Sequence, residues 1–246
     1  MRKLNLVAVI ALFSLASCTA YHISTVNSTN LTKNEATGKF VRENDSLKVT
    51  YSFSGFNAPV TIQIFNKLDK PMYIDWQRSA AIVNDMAESY AGRRLAIEGN
   101  INAESYRTHT GLWNETSASG SINAVAELPK NVSFIPPHSA INNTAVNLVD
   151  NANNYAWQLE GGAQRFSYSS TTDGGTLRVK TADFSQNDSP LKFKSYLTLY
   201  INEGQSPKTL VFLDDFYVSK SMKVLVSPVK LQEMQGSRGD LFYTLK

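Results

Sequence analysis

The 246-residue chain has one cysteine and three histidines. A single cysteine excludes an internal disulfide and any cysteine-based metal site. His22, His109 and His138 lie far apart and give no zinc-type spacing. The chain also lacks a Gly-x-Ser-x-Gly elbow, a Walker loop, a dinucleotide fingerprint and an EF-hand. No cofactor or metal is therefore indicated, and the protein is not expected to be an enzyme. The 24 basic residues nearly cancel the 21 acidic ones, which argues against nucleic acid as the main partner. What is plentiful is apolar content. At 42% hydrophobic, the chain can build a packed core.

The N-terminus reads as an address. Arg2 and Lys3 precede a mostly apolar stretch from Leu4 to Ala16, which ends in Leu15-Ala16-Ser17-Cys18. A bilayer span needs about 20 apolar residues, so this stretch is too short to cross. A charged start, an apolar core and a small-residue cleavage site make a secretory signal. The cysteine directly after that site makes it look like a bacterial lipobox. An ordinary secretory signal with a chance cysteine is the alternative reading. On the lipobox reading, residues 1–17 are removed and Cys18 receives lipid, which is the expected contact with the membrane. Two or more acyl chains hold a protein firmly, whereas one holds it weakly. Cleavage also removes Arg2 and Lys3, so part of the basic excess belongs to the signal. The following Ser/Thr/Asn-rich stretch predicts a tether, giving a lipidated N-terminus and tether over 18–38 and a domain over 39–246.

Within that domain, alternation dominates and no long stretch keeps a helical period. Leu47, Val49, Tyr51 and Phe53 alternate with polar residues, as do Val60, Ile62 and Ile64, with turn chemistry between them. These two strands are expected to pair antiparallel. Met72, Ile74 and Trp76 repeat the pattern, as do Leu197, Leu199 and Ile201 later. Thr209 to Ser219 reads as a further strand. Shorter candidates are Leu177 to Lys180, Val132 to Ile135, Ile141 to Val149 and Leu241 to Leu245. Many short strands joined by polar turns predict an all-β sandwich or barrel. Parallel α/β is disfavoured because crossover helices are missing. The stretch at about 84–130 is poor in periodicity and reads as a long insertion, with short strands at most. A second such stretch runs over 151–175.

Two motifs carry a resemblance. The first is the run from Asn66 through Lys70-Pro71-Met72 to Ile74-Asp75-Trp76-Gln77-Arg78-Ser79; the second is Phe134-Ile135-Pro136-Pro137-His138-Ser139. Together they resemble uncharacterised bacterial lipoproteins of Bacteroidota type. The resemblance, over roughly 39–219, implies an immunoglobulin-like antiparallel β-sandwich with long loop insertions. It also implies residence in the cell envelope, and it brings no catalytic residue. For a Gram-negative host, the default is the outer membrane, facing the periplasm.

Other candidates are weaker. Trp113, Tyr155 and Trp157 fall in the irregular segments, where exposed rings stack on sugars or on a partner protein; burial is the competing reading. His138-Ser139 imitates a base beside a nucleophile but suits a polar turn. Asp214 and Asp215 point to opposite faces of a strand and cannot chelate together, so a bulge or solvated edge is expected. Arg238-Gly239-Asp240 matches an adhesive tripeptide but fits a turn before the last strand. Asp75, Glu98, Glu104 and Glu115 offer no spacing that singles out a glycosidase pair. The expected function is a membrane-anchored, non-catalytic binding or structural module, with an envelope protein or glycan as partner. The alternative is a fimbrial or adhesin-type subunit that exchanges a terminal strand.

Overall fold

The computed structural model describes residues 19–92, 96–110, 113–127, 131–149, 163–168, 175–203, 206–226 and 238–245. Among these residues there is strand and turn but no helix. The lipobox, including Cys18, lies outside them, as do Tyr155 and Trp157.

In chain order the strands are β1 (Thr19–Ser28), β2 (Thr32–Lys33), β3 (Phe40–Glu43), β4 (Leu47–Ser52), β5 (Gly55–Phe56) and β6 (Pro59–Asn66). Next come β7 (Met72–Val83), β8 (Met86–Ser89), β9 (Ala96–Thr110), β10 (Trp113–Glu127), β11 (Val132–Ile135) and β12 (Ala140–Asn147). The last are β13 (Ala163–Tyr168), β14 (Gly175–Asp183), β15 (Lys192–Glu203), β16 (Ser206–Val226) and β17 (Leu241–Leu245). The larger sheet runs β11-β7-β15-β16-β1-β17-β5, with β8 on β7 and the β13–β14 hairpin joined to β16 through β14. The smaller sheet runs β12-β6-β4-β3-β2. β9 and β10 form a third, two-stranded ribbon.

The main apolar core lies between the two main sheets, and a second, smaller buried cluster gathers Tyr21, Ile23, Val179, Met222 and Val224. Leu47, Val49, Tyr51 and Phe53 are fully buried, and they share a cluster with Ile74, Trp76, Leu197 and Phe216 of the other sheet. The alternating runs therefore meet face to face, as their parity requires. Phe53 packs edge-on against Phe193 at 5.1 Å and Phe216 at 4.9 Å. Such aromatic contacts add about 0.5–1.5 kcal/mol each beyond the area they bury. The expected pairing of β4 with β6 is present and antiparallel.

The stretch expected to be a tether is largely a strand. β1 is inserted between β16 and β17, and Tyr21, Ile23 and Val26 are buried. Its Ser/Thr/Asn content disguised it, because polar residues alternate with few but well-placed apolar ones. The turn after it is also fixed. The Gly239 N–H donates to the Thr37 carbonyl at 2.8 Å, and the Val26 N–H donates to the Asp240 carbonyl at 2.7 Å. Gly38 has φ +66°, and a Cβ there would collide with the Asp240 carboxylate, so only glycine fits. The insertion at about 84–130 also departs from expectation, since β9 and β10 are 15-residue strands.

Candidate functional site

The two resemblance motifs prove to be neighbours. Asn66 ends β6, and its amide Nδ2 donates to the carbonyls of Lys70 (2.8 Å), Ile135 (3.2 Å) and Pro136 (3.1 Å). Its Oδ1 accepts from the Leu68 N–H at 3.0 Å. One buried amide thus closes the 66–71 turn and ties it to the Pro136-Pro137 turn between β11 and β12. Prolines cannot donate ladder bonds, so carbonyls there need an outside donor, and Asn66 supplies it.

The Asp75-Trp76-Gln77-Arg78-Ser79 run is a corner in β7. Its register against β15 slips between Tyr196/Ala80 and Thr198/Asp75. Ser79 repairs the interrupted ladder: its Oγ donates to the Asp75 carbonyl at 2.5 Å and accepts the Thr198 N–H at 3.0 Å. Asp75 Oδ1 accepts the Arg78 N–H at 3.1 Å. The corner turns Trp76 fully into the core, where Nε1 donates to Ser133 Oγ at 2.9 Å. These motif residues are architecture; they converge on no reactive atom.

A buried polar chain crosses between the sheets. Asp214 on β16 is completely buried and accepts from Arg42 of β3 through Nε (2.7 Å) and Nη2. Its other oxygen accepts from the Tyr51 hydroxyl at 2.7 Å. The Tyr90 hydroxyl donates to Ser195 Oγ at 3.0 Å, and burial pushes the pKa of both Tyr51 and Tyr90 well above the ordinary value. The expectation of a bulge or solvated edge at Asp214-Asp215 is corrected here. β16 pairs regularly with β15 through both residues, which places Asp214 in phase with Phe216 and Val218. That parity was legible; the partner, 172 residues away on another strand, was not.

Asp215 faces the other way and lines an open cleft of about 440 Å³. The cleft forms where the Asn84-Asp85 turn meets the start of β15 and the middle of β16, with Lys192, Lys194 and Tyr217 on its wall. Asn84 (φ 51°) and Asp85 (φ 60°) make a two-residue hairpin turn that suits these residue types. Lys194 Nζ sits 3.7 Å from Asp215, and Lys192 Nζ donates to the Asn187 carbonyl at 2.7 Å. A wall of alternating cation, carboxylate and phenol suits a polar, hydroxyl-bearing ligand. No group of three or more metal-ligating side chains exists among the described residues.

The remaining candidates resolve into turns. His138 Nε2 contacts Asp69 at 2.8 Å in an exposed position, while Ser139 Oγ donates to the Pro136 carbonyl at 2.8 Å. The two side chains do not form a base–nucleophile pair. Asp240 is buried, chelated by Arg238 Nε (3.0 Å) and Nη2 (2.8 Å) and by Lys33 Nζ (2.7 Å). Burial pushes its carboxyl up, but these donors outweigh that effect and hold it below the usual value. A carboxylate so enclosed is not offered to an adhesion receptor. Trp113 opens β10 opposite Thr110 of β9. Tyr155, Trp157 and Cys18 lie outside the described residues. Comparison with protein-family models, curated proteins and solved structures gave no match.

Proposed function

We propose that the protein is a lipid-anchored module of the bacterial cell envelope, joined to the membrane through Cys18. Its two packed sheets form an immunoglobulin-like β-sandwich of the kind seen in lipoproteins of Bacteroidota type. The module binds or braces an envelope protein or glycan and catalyses no reaction, and it resides in the outer membrane facing the periplasm. The observation that carries this reading is the order of charged start, apolar core, Leu15-Ala16-Ser17 and lone Cys18, followed directly by an ordered strand at Thr19. The cleft beside Lys192 and Tyr217 is the binding surface.

β17 sits between β1 and β5 with Phe242 buried, a placement that favours a fixed module over a strand-exchanging subunit. Feeding cells an alkyne-tagged palmitate tests the anchor. The wild-type chain is expected to take up label and Cys18→Ser to take up none. Equal labelling of both, or label in neither, contradicts the reading. Glycan and envelope-protein arrays test the cleft, where Tyr217→Ala and Lys192→Ala are expected to abolish capture.

A further inference from the structure

β16 is a 21-residue strand, and its first part has a neighbour on one side only. From Ser206 to Tyr217 it pairs with β15. On its other side β1 arrives at Phe216, opposite Ser28, and β14 joins further on at Lys220. Among the described residues, no strand pairs with that side from Pro207 to Leu213.

Asn30 and Ser28 show which backbone groups face this open side. The Asp215 N–H donates to Asn30 Oδ1 at 3.1 Å, and the Asp215 carbonyl accepts from Ser28 Oγ at 2.6 Å. The Leu213 carbonyl accepts from Asn30 Nδ2 at 3.0 Å. In an antiparallel strand, both backbone groups of one residue point to the same side, and alternate residues share that side. Thr209 and Val211 therefore turn N–H and C=O out to the open edge, and Leu213 turns its N–H the same way. Pro207 belongs to this set, so its missing N–H costs the β15 ladder nothing.

Shortness, charge, proline or a bulge keeps a free edge from pairing with another chain. β2, β5, β8 and β11 are two to four residues long, and β12 has a register shift at Thr144/Val146. The edge at Thr209-Leu210-Val211-Phe212-Leu213 has none of these defences. It holds no charge, proline or glycine and consists almost wholly of residues that favour strands. Val211 and Leu213 are 50% and 44% exposed.

We propose that this edge pairs antiparallel with the same edge of a second copy, about a two-fold axis at Leu210. With Leu210 opposite its own copy, Val211 of each chain lies opposite Thr209 of the other. Each of those pairs exchanges two backbone hydrogen bonds. Leu213 then lies opposite Pro207. Pro207 has no N–H to give, and the Leu213 carbonyl needs none because Asn30 already holds it. The Leu213 N–H meets the Pro207 carbonyl. An axis at Val211 would drive Pro207 against Asp215, where Asn30 and Ser28 already sit. An axis at Thr209 would set Pro207 against Val211 and leave the Val211 carbonyl without a donor. The Leu210 register also keeps the two Lys208 side chains apart, each opposite Phe212 of the other copy. Identical edges meeting about a two-fold axis close into a dimer, with one sheet running through both copies. The pairing concerns the body alone and does not rest on the lipid anchor.

Native mass spectrometry of the full chain, released from detergent micelles, reads the assembly. The wild type is expected to appear as a dimer. Val211→Pro removes a donor on the open edge and spares the β15 ladder. It is expected to lower the dimer fraction about tenfold, with the far-ultraviolet spectrum unchanged. Thr209→Lys/Val211→Lys sets like charges opposite each other across the axis and is expected to give monomer. Thr209→Lys/Val211→Glu sets opposite charges there and is expected to restore the dimer. A monomeric wild type overturns the pairing, as does a Val211→Pro chain that stays dimeric. Equal loss of dimer in the two charge variants overturns it too. So does a wild type found with one copy of a different chain that Val211→Pro releases.

Discussion

The two-sheet body and the β9–β10 ribbon differ both in how strongly their sequences alternate and in how many strands they pair. In the body the apolar face of β4, with Leu47, Val49 and Tyr51, meets a second sheet and disappears from solvent. In the ribbon, β9 and β10 pair antiparallel in one unbroken register from Ala96↔Glu127 to Thr110↔Trp113. Among the described residues no third strand pairs with it. An isolated hairpin is marginal in water, whereas three or more strands with a covered face are stable.

The largest losses of stability are expected inside the body. Trp76→Ala is expected to cost about 3–5 kcal/mol, read from urea unfolding, because it empties the core at the β7 corner. Arg42→Met is expected to cost a similar amount by leaving the Asp214 carboxylate buried and unpaired. Pairing it with Asp214→Leu should recover much of that loss; no recovery would mean that Asp214 is not held mainly by Arg42. Tyr51→Phe removes one donor from the same carboxylate and is expected to cost about 1–3 kcal/mol.

Titration sharpens the same contrast. Tyr51 and Tyr90 have raised values in the folded state, so their contribution is whole below the unfolded tyrosine value of 10.0 and is lost as pH rises above it. Absorbance of their phenolates is expected to appear together with unfolding, not before it. Asp240 is lowered, so its contribution is present above 3.8 and fades as pH falls through its folded value. Asp240→Asn should flatten that acid limb. The smallest effect belongs to the ribbon. Ile101→Asn is expected to shift body stability by no more than about 0.5 kcal/mol, and amides of β9 and β10 should exchange far faster than those of β4 or β15.

Where strong alternation used large residues, the sequence was readable. β4, β6 and the core side of β15 are placed by parity alone, and so is the inward turn of Trp76. The ribbon escaped notice because its apolar face is mostly alanine, glycine and isoleucine among serine and asparagine, so the contrast between faces is weak. β1 escaped for a related reason: its burial comes from insertion between β16 and β17, a fact of topology that no local window contains. The Asp214 site needed a partner on a distant strand. The roles of Asn66 and Ser79 lay in plain view within the two motifs, but a side chain that mends an interrupted ladder is recognisable only when the interruption is seen.

The most direct measurement is the mass of the N-terminal peptide of the protein taken from its native membrane. The account predicts a peptide that begins at Cys18 and carries glycerol-linked acyl chains on its sulfur. A peptide that still carries Leu15-Ala16-Ser17 ahead of a free thiol would contradict it.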